Sequence, residues 1–287
     1  MRVLVTGAGG QLGHDVVLTC AAAGDELTAP PEAELDVTDR DQILGAMAHV
    51  RPDLVVHCGA YTAVDACEGD PERAWAVNAI GTRHVADACA RSGAFLVHVS
   101  TDYVFDGEQH EPYVEWDRPN PQSVYGRSKL GSEQEVQALL PGAAIVRTSW
   151  MSGAHGANVV ATVLRLLATD RQREFAFVDD QRGCPTFTAD LAPTLRAIGA
   201  AHRPGTFHIT NQGATTWYGL VGEVLACAGA SPDQVHPIST AELDPPRPAP
   251  RPVNSVLDNA ALRLSGLPLL AHHTEPLARL VQELMAR

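Results

Sequence analysis

The sequence predicts an α/β protein with a doubly wound parallel sheet and a smaller C-terminal lobe. In the first half of the chain, short apolar runs alternate with longer helical patterns, and a glycine-rich turn follows the first apolar run. The second half is less regular and contains a loop, residues 245–252, with five prolines. Strands that alternate with helices form parallel sheets through right-handed crossovers.

The elements follow from apolar periodicity, taken in chain order. In the first half, we expect strands at 2–6, near 27–29, at 54–57, 94–99 and 143–147, with helices at 10–23, 71–91 and 122–140. In the second half, we expect helices at 158–168, 188–201, 216–228 and 275–285, with strands at 174–178 and 206–209. Proline lacks the backbone N–H, so 245–252 is an extended loop.

Composition excludes several classes of protein. The net charge of −13 disfavours a general binder of nucleic acid or of anionic membranes. The six cysteines include no Cys-x-x-Cys pair, so neither a zinc ribbon nor a redox motif is predicted, and we assign no metal. They are interpreted as core residues in a reducing, cytoplasmic setting. We see no signal peptide, and no apolar run approaches the ~18 residues of a membrane span.

The glycine-rich turn indicates a nucleotide site. Gly7, Gly10 and Gly13 follow the first strand, with Gln11 and Leu12 between the last two, and they open the first helix. Glycines allow a tight turn and a close approach of the backbone to a pyrophosphate, while the helix N-terminus offers free N–H groups. This context predicts a Rossmann-type dinucleotide-binding domain over 1–150, with 188–201 packing back on it. Residues 151–287 are then mostly a substrate-binding lobe.

The identity of the cofactor stays open at this stage. An acid at the end of the second strand would bind the ribose of NAD, and an arginine would bind the 2′-phosphate of NADP. Residues 29–31 (Ala-Pro-Pro) provide neither. After the third strand, the segment Cys58, Gly59, Ala60, Tyr61 is predicted to line the cofactor, because its small residues suit close backbone approach.

Tyr125 and Lys129 are candidate catalytic residues. Four positions apart on a helix, they lie on one face, where the ammonium is expected to lower the pKa of the phenol. Such a tyrosine can give a proton to a carbonyl oxygen as hydride arrives at its carbon. Thr101 ends the fourth strand, where parallel sheets bind ligands, and is expected to hydrogen-bond the substrate carbonyl and to orient Tyr125.

Together these motifs resemble the extended short-chain dehydrogenase/reductase superfamily and, within it, the dTDP-4-dehydrorhamnose reductase family. The resemblance runs nearly end to end and includes residues 60–65, 100–107, 147–150, 180–186 and 251–255. It implies reduction of the C4 ketone of a dTDP-linked 4-keto-6-deoxyhexose by NADPH or NADH, with NADPH favoured. After Trp150 the chain departs from the family pattern (Met-Ser-Gly-Ala-His), which leaves the exact sugar open.

The resemblance also implies roles for individual residues. Thr101, Tyr125 and Lys129 would be catalytic, and Lys129 would also bind the nicotinamide ribose. The residues implied beside the adenine are Asp36 and Val37, although Asp36 could instead form a turn or helix cap. The residues implied around the sugar are Val64, Asp102, Tyr103, Tyr125 and Trp150. Arg251 could bind the diphosphate, since guanidinium makes paired hydrogen bonds to phosphate.

Two other functions remain open. One is a non-catalytic NADP-binding regulatory subunit resembling that of methionine adenosyltransferase. The other is a related nucleotide-sugar epimerase, dehydratase or 4-ketoreductase of antibiotic-sugar biosynthesis. Among partners, we expect a dTDP-sugar substrate and neither nucleic acid nor membrane. A homodimer is compatible with the resemblance, but the sequence does not define the oligomeric state.

Overall fold

The computed structural model describes residues 1–287 and confirms the α/β class. The strands are β1 (Arg2–Thr6), β2 (Glu26–Thr28), β3 (Leu54–His57), β4 (Phe95–Thr101), β5 (Ala144–Thr148), β6 (Met151–Ser152), β7 (Phe175–Val178), β8 (Arg182–Gly183), β9 (Thr186–Phe187), β10 (Gly205–His208), β11 (Thr215–Thr216) and β12 (Val235–Ile238). The helices are α1 (Gln11–Ala22), α2 (Arg40–Val50), α3 (Val64–Gly69), α4 (Pro71–Trp75), α5 (Thr82–Ser92), α6 (Val124–Leu139), α7 (Val159–Thr169), α8 (Thr188–Ala200), α9 (Trp217–Cys227), α10 (Ala260–Leu264) and α11 (Thr274–Ala286).

Six of these strands form one parallel sheet in the order β10-β5-β4-β3-β1-β2. The chain runs from β1 outward to β2 and then returns to the other side of β1 as β3. The direction of winding therefore reverses between β1 and β3. Parallel α/β sheets bind their ligands in the crevice at the carboxyl ends of such a pair of strands.

Side-chain alternation along the strands builds a core on each face of the sheet. One core joins Val3, Val5 and their neighbours to helices α1 and α8. The other joins Leu4, Val55 and Leu96 to helices α2, α5 and α6. The lobe has its own core of apolar side chains from α7, α9 and α11.

The structure corrects several element predictions. Residues 71–91 do not form one regular helix, because Ala76–Gly81 is a π-helical segment between α4 and α5. A π turn holds one extra residue, so it rotates the apolar face, and Trp75 and Ile80 are exposed. Helices α2, α3 and α10 and strand β12 were not predicted. The strand expected at 206–209 is β10, which joins the edge of the main sheet.

No helix of the protein combines the length and the apolar character that crossing a bilayer would require. All six cysteines are free thiols, and five of them are buried or half-buried.

Three histidines are buried in the neutral form. The hydroxyl of Thr82 donates to a backbone carbonyl, so it accepts from His57 Nε2, and Nδ1 of His57 accepts from Thr6 at 2.6 Å. Burial lowers the pKa of His57 to about 3 and that of His208 to about 3, and it lowers the pKa of His98 well below its usual value. Protonation of any of the three would place a charge in the core.

We expect the protein to lose stability in mild acid. Because the folded pKa values lie below ~6.5, the unfolded chain binds more protons between pH ~6.5 and ~3, so the free energy of unfolding falls as pH falls. Between pH 7 and 6, three such histidines together lower the free energy of unfolding by about 2 kcal/mol. Burial raises the pKa of Asp102 to about 6, so the folded protein binds protons there in the same pH range. This offsets about a few tenths of a kcal/mol of the loss. Urea titrations at the two pH values measure the difference; equal or higher stability at pH 6 would contradict the expectation.

Candidate active site

The glycine turn lies at the reversal point of the sheet. Gly7 has φ 70°, in the left-handed region, and a Cβ there would lie 2.5 Å from the backbone nitrogen of Gly59. A Cβ on Gly13 would lie 2.1 Å from the carbonyl oxygen of Gly7. Only glycine fits both positions. The structure therefore brings together the two segments that were predicted separately to line a dinucleotide.

The N-terminus of α1 is available to an anion. Gly10 is its cap residue and no side chain caps the helix, so its first N–H groups are left for a ligand. The side chain of Leu12 lies in the core, and that of Gln11 bonds Ala157 and Asn158 of the lobe. These two residues can contact a cofactor mainly through their backbone, while Gln11 links the turn to the lobe.

Val37 lies at the same crevice, and Asp36 forms a local turn. A Cβ on Gly81 would lie 2.8 Å from Val37 Cγ2, and one on Gly59 would lie 3.6 Å from Val37 Cγ1. The Asp36 carboxylate accepts from both the N–H and the hydroxyl of Thr38 at 2.8 Å. The turn interpretation of the Asp36 side chain is thus the one observed, and a role beside adenine stays a prediction.

Asn78, which the sequence analysis missed, joins the segment predicted to line the cofactor to helix α6. Its amide accepts from Tyr61 N at 2.8 Å and donates to Tyr61 O at 3.1 Å and to Ser128 Oγ at 2.8 Å. Ser128 in turn donates to the carbonyl of Tyr125. Asn78 is fully buried, and an asparagine within an apolar helical pattern is the signal that could have identified it.

The three predicted catalytic residues lie on β4 and α6. Helix α6 begins after Ser123, whose hydroxyl accepts from Gly126 N, and this cap fixes the first turn that carries Tyr125. Lys129, one turn later, is buried and donates from Nζ to the Val99 carbonyl at 2.7 Å. The hydroxyl of Thr101, at the end of β4, donates to Asp102 Oδ1 at 2.9 Å.

The prediction that Lys129 makes Tyr125 more acidic is wrong for this structure. Burial raises the pKa of Tyr125 above its usual value, and the nearby carboxylate of Asp102 adds to the rise. Burial also lowers the pKa of Lys129, to about 8, and its ammonium is directed at the backbone of β4. The phenol is therefore protonated at neutral pH, which is the form that can give a proton to a ketone oxygen.

Two of the residues implied around the sugar, Tyr103 and Tyr125, are in contact, with their rings edge to face and centroids 5.6 Å apart. Tyr61 and Val64 pack against the apolar cluster that contains Tyr125. Tyr103 also lines a cavity of about 480 Å³ in the lobe. The other lining residues used below are Phe177, Trp217, Leu243, Arg247 and Arg251.

Trp150 is connected to this cavity through Trp217. The two indoles stack with centroids 3.8 Å apart and planes 8° from parallel, and Trp150 has a positive φ of 46°. Gly183 lies against the indole, where a Cβ would be 2.5 Å from Trp150 Cε2. Trp217 was not singled out from the sequence, because nothing local marks an aromatic at a helix start as part of a site.

Two charged side chains of the predicted site, Asp102 and Arg251, differ in how far their polar atoms are already paired. Asp102 is buried, and its Oδ2 has no hydrogen-bond partner, so it can accept from a ligand hydroxyl. Arg251 lines the cavity but pairs with Asp65, a partner that the sequence analysis missed. No cluster of three or more His, Cys, Asp or Glu side chains is arranged to hold a metal ion.

A larger cavity, about 700 Å³, opens beside Arg51 and Arg91. It lies at the amino ends of the strands, opposite the glycine turn, and contains none of the predicted site residues. Of the predicted site residues, Tyr103 and Arg251 line the smaller cavity, so we associate the predicted site with that cavity.

Comparisons with known proteins agree with this arrangement. A family model described as the RmlD substrate binding domain matches residues 1–286. A dTDP-4-dehydrorhamnose reductase of Streptomyces griseus is 44% identical over 277 residues, 94% of this chain and 90% of that protein. A probable dTDP-4,6-dihydroxy-2-methyloxan-3-one 4-ketoreductase of Streptomyces antibioticus is 42% identical over 93% of this chain and 90% of its own length.

Among solved structures, a dTDP-4-dehydrorhamnose reductase of Bacillus anthracis in complex with NADP superimposes with a TM-score of 0.94. It is 36% identical, and the match covers 98% of this chain and 99% of that one.

Proposed function

The chain belongs to the RmlD substrate binding domain family, and from this premise we propose that it is an NAD(P)H-dependent reductase of a nucleotide-linked 4-keto sugar. The proposed reaction converts dTDP-4-dehydro-L-rhamnose to dTDP-L-rhamnose. The observation that carries the proposal is the contact of Tyr125 with Tyr103, whose ring lines the cavity. Tyr125 shares the carboxyl edge of the sheet with the glycine turn, in a chain that closely resembles reductases throughout its length.

The residues at this edge fit a dinucleotide, because Gly7 and Gly13 leave no room for side chains and α1 presents uncapped N–H groups. When bound, the reduced nicotinamide supplies the hydride. Tyr125 gives its proton to the ketone oxygen. Thr101 turns its hydroxyl from Asp102 to that oxygen and stabilises the developing charge. Lys129 holds a positive charge on the same helix face.

We propose that substrate lies between the two parts of the chain. The dinucleotide domain comprises residues 1–150 with α8 and β10, and the rest of 151–287 is mostly the substrate-binding lobe. In this proposal the sugar contacts Val64, Asp102, Tyr103 and Trp150, and Arg251 binds the diphosphate. The apolar faces of Tyr103 and of the stacked indoles suit the C–H face of a deoxyhexose.

A second candidate is a 4-ketoreductase acting on another dTDP-linked sugar. The relative from Streptomyces antibioticus favours it, as does the departure from the family pattern at residues 151–155. Both candidates share the same chemistry and differ only in the sugar that the cavity accepts.

The decisive experiment incubates purified protein with NADPH and dTDP-4-dehydro-L-rhamnose and follows nicotinamide absorbance. We expect the absorbance to fall and dTDP-L-rhamnose to form. A parallel reaction with dTDP-4-keto-6-deoxy-D-glucose separates the two candidates, since the faster substrate identifies the sugar. Binding of NADPH without oxidation in the presence of either sugar would overturn the reductase proposal and favour a regulatory subunit.

We also propose a cytoplasmic location, which six free thiols support because disulfides form in oxidising compartments. A homodimer is the remaining partner proposal, and light scattering of the purified protein tests it.

A further inference from the structure

Asp65 joins the dinucleotide domain to the proline loop of the lobe. Its two carboxylate oxygens accept from the two terminal nitrogens of Arg251, with the Nη2 bond at 2.7 Å. The carboxylate also accepts from the backbone N–H of Ala249 at 3.2 Å and lies 3.4 Å from Arg247 Nη1. One carboxylate on α3 thus accepts from four nitrogens of three residues in a loop about 185 positions away.

The geometry of this pair leaves one edge of Arg251 unused. A guanidinium has five N–H donors in a fixed plane. The end-on pair with Asp65 uses one hydrogen of each terminal nitrogen, and the second hydrogen of Nη1 goes to the carbonyl of Ala249 at 2.8 Å. The hydrogen on Nε and the outer hydrogen on Nη2 make no hydrogen bond in the structure and point the same way. They form a second fork that matches two oxygens of a phosphate. The Tyr103 hydroxyl, in the same cavity wall, lies close to the guanidinium: although burial opposes the change, Asp65 and this hydroxyl raise the pKa of Arg251.

The cavity that Arg251 lines suits an anion. Its only charged lining residues are Arg247 and Arg251, whereas the chain as a whole carries a net charge of −13. The remaining walls are largely apolar, with Phe177, Leu243 and Trp217 among them. A ligand with a flat ring and a phosphate would satisfy both kinds of wall.

Stability alone does not account for the pair. Asp65 is about one-third exposed, and partly exposed ion pairs contribute little to folding. Without Asp65, only the Ala249 carbonyl would accept from the Arg251 guanidinium, so the long side chain could take other rotamers in the cavity wall.

We propose that Asp65 is a positioning residue, which holds Arg251 so that its unused edge faces the cavity and meets the diphosphate of the sugar nucleotide. The inference rests on the proposed function, because it presumes that Arg251 contacts that diphosphate. Asp65 itself touches neither the sugar nor the nicotinamide and acts only through the arginine.

The test uses Asp65→Asn in the full-length protein. We expect the KM for the dTDP-sugar and the inhibition constant of dTDP to rise about tenfold, while kcat and the KM for NADPH change less than twofold. Thymidine, which lacks phosphate, is expected to inhibit both proteins equally. Asp65→Glu keeps the charge and is expected to restore part of the dTDP affinity. If the asparagine variant does not fold, Asp65→Glu provides the test, because its dTDP affinity is expected to lie below the wild-type value.

Two further variants make the outcome specific. Asp258→Asn is the matched control, because Asp258 has the same exposure and a similar two-bond pair with Arg263 away from the cavity. Arg251→Met tests the presumed diphosphate contact: unchanged dTDP affinity in this variant would overturn the placement of Arg251. Weakened affinity in Arg251→Met together with wild-type or tighter affinity in Asp65→Asn would overturn the role of Asp65 alone.

Discussion

Replacing Tyr125 with phenylalanine is expected to lower turnover by about 100-fold or more, the usual scale for a lost general acid. The phenol is buried against Tyr103, whose ring lines the cavity, and burial keeps it protonated at neutral pH. Phenylalanine retains the ring that packs against Tyr103 and Val64, so NADPH affinity is expected to stay the same. Steady-state kinetics with saturating sugar nucleotide, together with an NADPH titration, measure the two effects separately.

Tyr218→Phe provides the control, because it removes a phenol from the lobe and leaves Tyr125 and Tyr103 unchanged. Near-full turnover in Tyr125→Phe would remove Tyr125 from the mechanism. A fall of similar size in both variants would indicate a general loss of folded protein rather than a lost proton donor.

Glu133→Ala is expected to lower the free energy of unfolding by about 3–5 kcal/mol, because it leaves a buried arginine without its counter-charge. Glu133 and Arg147 are 1% and 4% exposed, and they share two hydrogen bonds of 2.9 and 2.7 Å. The hydroxyl of Ser100 donates to the same carboxylate at 2.6 Å. Removing this carboxylate would therefore break hydrogen bonds that join α6 to both β4 and β5.

The exposed pair Glu283–Arg287 supplies the comparison. It has the same charges on one helix face, but both side chains are about half exposed, so Glu283→Ala is expected to change stability by less than about 1 kcal/mol. Urea titration of both variants at pH 7 measures the difference. A loss below about 1 kcal/mol in Glu133→Ala would show that the Arg147 charge finds another partner or water.

The sequence predicted those parts of the fold that depend on residues close together in the chain. The Gly7–Gly13 spacing is read directly from the chain because a Cβ on Gly13 would clash with the Gly7 carbonyl in the turn itself, whereas the close contact of Gly7 with Gly59 depends on the folded sheet. The main strands were predicted because they are buried on both faces and therefore continuously apolar. Helix α2 was missed because only Ile43 and Met47 are buried in it, which leaves no apolar stripe to detect.

The parts that depend on distant residues could not be predicted in this way. The pairing of Asp65 with Arg251 spans 186 positions, and either residue alone resembles an ordinary exposed charge. The stacking of Trp150 on Trp217 likewise needs the folded lobe. The pKa of Tyr125 was predicted from its neighbour at 129, whereas its burial, a property of the whole fold, has the larger effect.

Because β10 belongs to the main sheet, residues 1–150 and residues 151–287 are not independent folding units. A protein cut after residue 150 would lack both β10 and α8, so the backbone of β5 would become an open sheet edge, and the apolar face of β3, β4 and β5 that α8 covers would face water. Exchange of the lobe between relatives, as a way to change sugar specificity, must therefore keep residues 188–208 with the recipient. Only the segments on either side of them can be transplanted without exposing the recipient's interior.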